Sequence, residues 1–263
     1  MPFVTAGEAA IYYELIAQPQ RPVLLLSNSL GTDLSMWSLQ TAKFAEHFSL
    51  LRYDARGHGK SAVPPGPYTI EQLSRDVLTL LDALELTRVH FCGLSMGGMI
   101  GQWLGSHAPE RLHSLVLADT AAQSGGATFW NQRIDTALAG GMDAVIPEIL
   151  GGWFTAKFRS KRPDEIERIT TLLRSTKPEG FAACCAAIRD MDLQADAAKI
   201  RVPTLVLYGR DDAATPPICS RFLLEQISGA EVLQVNAGHI SNVEDPDGFT
   251  NGVMDFLLRR EPR

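Results

Sequence analysis

Little in this sequence points toward membranes, metals or nucleic acid. No apolar run approaches the roughly 20 residues that a membrane helix needs. The first residues, MPFVTAGEAA, lack the basic start and apolar core of a secretory signal, so a cytoplasmic protein is expected. The four cysteines, Cys92, Cys184, Cys185 and Cys219, form no C-x-x-C pair and no zinc spacing. Adjacent Cys184 and Cys185 read as buried thiols on a helix rather than a redox pair. There is no H-E-x-x-H or other metal-ligating cluster, so no metal is expected. A basic excess is missing as well: 24 Lys and Arg stand against 30 Asp and Glu, a net charge of -6. That balance argues against nucleic acid as a partner, yet local arginines could still hold an anionic small molecule. Internal repeats and low-complexity tracts are also absent, and oligomeric state is not legible.

What is present fits one α/β domain of 263 residues, with 45% hydrophobic and 21% charged residues. Short Val-, Leu- and Ile-rich runs alternate with helical patterns, the mark of a mostly parallel sheet flanked by helices. Val4-Thr5 and Ala10 to Glu14, split by Gly7, read as an opening hairpin. Further strands are predicted at Val23 to Asn28, Leu50 to Asp54, Arg88 to Cys92, Leu115 to Asp119, Thr204 to Tyr208 and Glu231 to Val235. Helices are predicted at Ile70 to Leu84, Gly97 to His107, Pro216 to Ile227 and Pro246 to Leu258. In the first, Ile70, Leu73, Val77, Leu80, Leu81 and Leu84 share one face. Between Ala121 and about Lys199 no strand-like run appears, and helical stretches are broken by Gly140-Gly141, Gly151-Gly152, Pro163 and Pro178. The expected organisation is therefore a core of residues 1–120 and 200–263, with residues 121–199 as a helical lid inserted after the sixth of eight strands. That insertion point places the lid over the carboxyl edge of the sheet, where open α/β folds bind ligands.

Gly93-Leu94-Ser95-Met96-Gly97 is a G-x-S-x-G motif. On its own it is only suggestive. Here a strand runs straight into it and a helix leaves it, which is the setting of a nucleophile elbow. A serine hydroxyl needs a base within hydrogen-bond reach to act as a nucleophile at neutral pH, and in this architecture the chain order is serine, acid, histidine. Asp212 follows the strand ending at Tyr208, within Gly209-Arg210-Asp211-Asp212. His239 follows the next strand, within Asn236-Ala237-Gly238-His239. Of the six histidines, only His239 lies beyond Ser95 on such a loop. His107 and His113 flank the helix and strand after the elbow, and His58 reads as a structural loop residue. Asp211 is the rival acid, and the spacing to Gly209 and Pro216 favours Asp212. The oxyanion of a tetrahedral intermediate needs donors aimed at it. The expected pair is the backbone N–H of Met96, just after the nucleophile, and that of Leu30, in Asn28-Ser29-Leu30-Gly31. One apparent motif is dismissed: Gly57-His58-Gly59-Lys60-Ser61 ends like a phosphate-binding loop, but Asp54 stands where its first glycine belongs.

With these residues in place the whole chain resembles the α/β-hydrolase family, and within it the 3-oxoadipate enol-lactonases of bacterial aromatic catabolism. The segments that carry the resemblance are Leu26-Ser27-Asn28-Ser29-Leu30-Gly31-Thr32-Asp33 with Met36-Trp37, Tyr53-Asp54 with Arg56-Gly57-His58-Gly59, and Gly93 through Met99. Leu117-Ala118-Asp119-Thr120-Ala121-Ala122 and Gly238-His239 complete them. Many esterases share the elbow and the arginine-glycine loop, whereas Asn28 to Asp33 is more discriminating, because Asn28-Ser29 stands where His-Gly is usual. The resemblance implies opening of 3-oxoadipate enol-lactone to 3-oxoadipate, through an acyl-enzyme on Ser95 and without a cofactor. Such a substrate carries a carboxylate, for which Arg133 is the candidate cation, beside Trp130 and with Trp153 walling the pocket. A general carboxylesterase, a C–C bond hydrolase and a perhydrolase share this triad, because pocket shape decides among them. Haloalkane dehalogenation is disfavoured, since it wants an aspartate where Ser95 stands. A non-catalytic receptor that kept the fold is the alternative of another class; an intact elbow, acid and base speak against it.

Overall fold

The computed structural model describes residues 2–260; residue 1 and residues 261–263, the outer ends of the expected core, lie outside the described residues. Eight strands form one sheet: β1 (Phe3–Ala6), β2 (Ala9–Ile16), β3 (Val23–Ser27), β4 (Ser49–Tyr53), β5 (Val89–Leu94), β6 (Leu112–Ala118), β7 (Thr204–Gly209) and β8 (Glu231–Val235). Their order is β1-β2-β4-β3-β5-β6-β7-β8, with β1 and β2 antiparallel to their neighbours and the rest parallel. Every residue of β5 is buried, as are all of β3 and β6 but one each. This is why these strands read as unbroken apolar runs rather than alternating ones.

The helices are α1 (Ser38–Ala45), α2 (Ile70–Ala83), α3 (Met96–His107), α4 (Ala127–Gly140), α5 (Met142–Trp153), α6 (Ala156–Lys161), α7 (Pro163–Ser175), α8 (Pro178–Arg189), α9 (Gln194–Ala197), α10 (Pro217–Gln226), α11 (Ser241–Glu244) and α12 (Pro246–Leu258). Thr69 caps α2 by accepting the Gln72 N–H, and Ile70, Leu73, Val77, Leu80 and Leu81 are its buried face. Six helices, α4 to α9, lie between β6 and β7. Cys184 and Cys185 are buried free thiols on α8, and burial pushes the thiol of Cys185 up to about 12, in keeping with inert core residues.

Strand boundaries differ from the sequence expectation by small amounts with clear causes. β5 runs on to Leu94 because Gly93 and Leu94 still pair with Leu117 and Ala118. Helix α1 was not anticipated: it is eight residues long and buries only Gln40 and Phe44, too few positions to set a helical period.

Candidate active site

The parallel strands end at one edge of the sheet, so the residues that follow them converge. Ser95 follows β5, and its backbone sits at φ 55°, ψ -114°, a region that side chains rarely occupy. Two glycines make the turn possible: a Cβ on Gly93 would overlap the carbonyl of Gly97, and one on Gly97 the carbonyl of Ser27. The N–H of Ser95 is tied to Ala118 O at 2.9 Å, and that of Gly97 to Asn28 O at 3.0 Å. The elbow is thereby stitched to the strands on both sides.

His239 Nε2 lies 2.9 Å from Ser95 Oγ, and His239 Nδ1 lies 2.9 Å from Asp212 Oδ2. All three side chains are buried. Asp212 Oδ1 accepts the N–H groups of Ala214 and Thr215 at 2.8 and 2.9 Å, while Thr215 Oγ1 donates to Oδ2 at 2.8 Å. This network turns Oδ2 toward the imidazole. Asp211 points elsewhere and pairs with Arg210 at the surface, so of the two it is Asp212 that lies against His239. The His239 N–H donates to the carbonyl of Trp153 at 2.8 Å, which ties the loop after β8 to the end of α5.

Leu30 lies on the loop after β3, and Met96 directly follows Ser95 at the start of α3. Among the described residues no acceptor is paired with either N–H, although Gly31 N–H and Gly97 N–H beside them are both engaged. Asn28, where His-Gly is usual, anchors this loop: its Nδ2 donates to Tyr53 O and its Oδ1 accepts from Trp37 Nε1, each at 2.8 Å.

A cavity of about 380 Å³ opens onto Ser95 and His239, and Leu30, Trp130, Arg133 and Trp153 are in its wall. The three aromatic and cationic residues expected from the sequence are therefore brought together with the serine. Arg133 is largely enclosed, with 13% of its side chain exposed, and its guanidinium lies 4.4 Å from the Phe129 ring centroid and 5.4 Å from that of Trp130. Its Nη2 pairs with Glu148 Oε1, but its Nε, the indole Nε1 of Trp130 and the hydroxyl of Ser29 are buried with no partner among the described residues. Three polar groups with no partner among the described residues thus stand in one cavity wall, and burying such groups unpaired is costly.

Sequence reasoning assigned no role to Thr215, Glu148, Ser29 or Asp119, although Ser29 and Asp119 lie in segments that carry the family resemblance. Asp119, directly after β6, is fully buried; Oδ1 accepts Gly209 N–H at 2.7 Å and Oδ2 accepts from Ser241 Oγ. Burial, and next the nearby charge of Asp212, hold its carboxyl well above the usual range. Its place after a buried strand, within a segment that carries the family resemblance, was the sequence-level hint; the structure adds a positive φ of 45°.

An eight-stranded, mostly parallel sheet with a serine at a strained strand-to-helix elbow, backed by histidine and aspartate, defines the alpha/beta hydrolase fold. The chain belongs to the alpha/beta hydrolase family, whose model matches residues 23–251, and it is a hydrolase. It is 40% identical to 3-oxoadipate enol-lactonase 2 of Acinetobacter baylyi, over 97% of this chain and 96% of that protein. It is 31% identical to a protein of Pseudomonas savastanoi named as a carbamate hydrolase, RutD, over 90% of this chain and 93% of the relative. The crystal structure of the enol-lactonase from Burkholderia xenovorans LB400 matches with a TM-score of 0.96 and 42% identity, covering 98% of this chain and all of that one.

Proposed function

We propose that the chain opens 3-oxoadipate enol-lactone to 3-oxoadipate, in the β-ketoadipate pathway of aromatic catabolism, through an acyl-enzyme on Ser95. The observation that carries this reading is one cavity whose wall holds both Ser95 and His239, the latter backed by Asp212, and a nearly enclosed arginine. A lactone bearing one carboxylate needs both. The enol-lactonase relatives support the same choice.

Ser95 Oγ attacks the lactone carbonyl while His239 Nε2 takes its proton, and Asp212 holds the imidazole by Nδ1 and balances the charge it gains. The N–H groups of Leu30 and Met96 receive the oxyanion. Collapse of the tetrahedral intermediate breaks the ring C–O bond. His239 returns the proton to the leaving enol oxygen, which stays tethered to the acyl group. Water, deprotonated by His239, then attacks the ester carbonyl and frees Ser95. Tautomerisation of the enol to the ketone draws the reaction forward. Arg133 and the Trp130 N–H bind the spectator carboxylate, Trp153 walls the pocket, and residues 121–199 serve as the lid that brings these three to the sheet edge.

The test is loss of the ultraviolet absorbance of the enol-lactone generated in solution, with a neutral nitrophenyl ester as comparison and Ser95→Ala as control. We expect rapid lactone loss, slower ester cleavage, and a fall of at least about 10⁴-fold in the variant. Cleavage of the ester with the lactone left intact would sink the enol-lactone assignment. The carbamate hydrolase relative makes a carbamate the second candidate, and a preference for a carbamate in the same assay would replace the first.

A further inference from the structure

The loop that carries Leu30 is held by a clamp built from two distant segments. Gly31 N–H donates to His58 Nε2 at 2.7 Å, and Gly31 O accepts from Thr176 Oγ1 at 2.9 Å. His58 lies on the loop after β4, while Thr176 lies between α7 and α8. Gly31 has φ +76°, and a Cβ there would come within 2.8 Å of Leu173 Cδ2 on α7, so this loop and the helices above it are in close contact at a position that demands glycine.

The hydrogen bond settles the state of His58. A nitrogen that accepts from a backbone N–H carries no proton, so the imidazole is neutral with its hydrogen on Nδ1, facing Arg56 O at 3.2 Å. Arg56 is itself anchored: its guanidinium makes a buried, bidentate pair with Asp76 of α2, at 2.8 and 2.6 Å. The acceptor for Gly31 thus stands on a hydrogen-bonded chain running from α2 through Arg56 to His58. His58 is buried, and burial lowers its pKa to about 4. The groups facing it are the Cys184 thiol of α8, 3.9 Å from Nδ1, and the carboxylate of Asp33.

We infer that His58 is a positioning residue for the reaction: by accepting the Gly31 N–H, with Thr176 holding the Gly31 carbonyl, it fixes the peptide next to the one whose N–H, from Leu30, receives the oxyanion. This rests on the reading of Leu30 as an oxyanion donor. His58 is not in the wall of the cavity, so it acts through the loop alone. Because oxyanion donors matter most in the transition state, a slack loop lowers kcat and leaves substrate binding nearly intact.

The experiment compares kcat and KM on the lactone for His58→Gln, which offers an acceptor oxygen, His58→Leu, which offers none, and Thr176→Val. Thermal midpoints and Ser95→Ala are controls. We expect kcat of His58→Leu to fall at least 10-fold with KM within about twofold, His58→Gln to recover most of the loss, and Thr176→Val to lose about threefold in kcat. Unchanged kcat in His58→Leu, or equal losses in the Leu and Gln variants, would overturn the inference. Should His58→Leu fail to fold, Thr176→Val decides: a kcat equal to wild type overturns it, and a fall at constant KM supports it. Activity surviving in Ser95→Ala would instead remove the underlying reading of the site.

Discussion

Arg133 Nη2 sits 2.8 Å from Glu148 Oε1, so the enclosed cation of the cavity already has a counter-ion from the neighbouring helix. Glu148 is more than half exposed while Arg133 is not; the pair is therefore weakened by solvent on the glutamate side and easily reorganised. A substrate carboxylate can engage the unpaired Nε and share or displace Glu148. Removing Arg133 as Arg133→Ala is expected to raise KM for the anionic lactone about 10- to 100-fold, the worth of one or two charged hydrogen bonds. Cleavage of a neutral ester should stay within about threefold. Glu148→Gln should act the other way, lowering KM for the lactone by removing a competing negative charge. Steady-state kinetics on both substrates checks this, and equal KM values in all three proteins would show that Arg133 does not meet the carboxylate.

Asp119 joins the loops that carry the acid and the base. Gly209, whose N–H it accepts, precedes Asp212 by three residues, and Ser241, whose hydroxyl it accepts, follows His239 by two. With its carboxyl held well above the usual range by burial and by Asp212, an uncharged amide is a fair substitute. Asp119→Asn should keep kcat within about threefold. Asp119→Ala strands buried donors on both loops, and should cost about 2 to 3 kcal/mol in urea unfolding together with at least a 10-fold loss in kcat. If the asparagine variant loses as much as the alanine, a charged Asp119 is required and the stapling account fails.

The parts of the site that the sequence made legible are those written locally. Ser95 declares itself through the glycines its turn needs, and Asp212 and His239 through their places after buried strands whose apolar runs are hard to misread. Arg133 and Trp130 were placed only by a family resemblance and by their position in the insertion. The parts that stayed hidden are contacts between residues far apart in the chain. Nothing near Thr176 indicates that its hydroxyl will meet Gly31, 145 positions away, and nothing near Asp119 indicates Ser241. Asp211 and Asp212 were separated by spacing alone; the physical reason, that Asp211 is drawn outward by Arg210 while Ala214 and Thr215 turn Asp212 inward, needs coordinates. The short helix α1 stayed hidden for a different reason, having too few core-facing side chains to show a period.

The neutral His58 also predicts an acid response of the fold. Burial lowers its pKa to about 4, against about 6.5 in an unfolded chain. Below 6.5 the unfolded state therefore takes up a proton that the native state refuses, so this residue's contribution is complete above pH 6.5 and is lost as pH falls toward 4. His90, also lowered to about 4 by burial, works in the same direction. Asp54, raised to about 6 by burial, works in the opposite one, since its protonated native form gains as pH falls. Wild type and His58→Gln share His90 and Asp54, so the difference between their profiles isolates His58. Urea unfolding free energies measured from pH 7 to pH 4 should fall less steeply in the variant, by about 1 kcal/mol per pH unit over the lower part of that range. Parallel profiles would mean that His58 accepts its proton in the native state as readily as in the unfolded one, which the Gly31 hydrogen bond forbids.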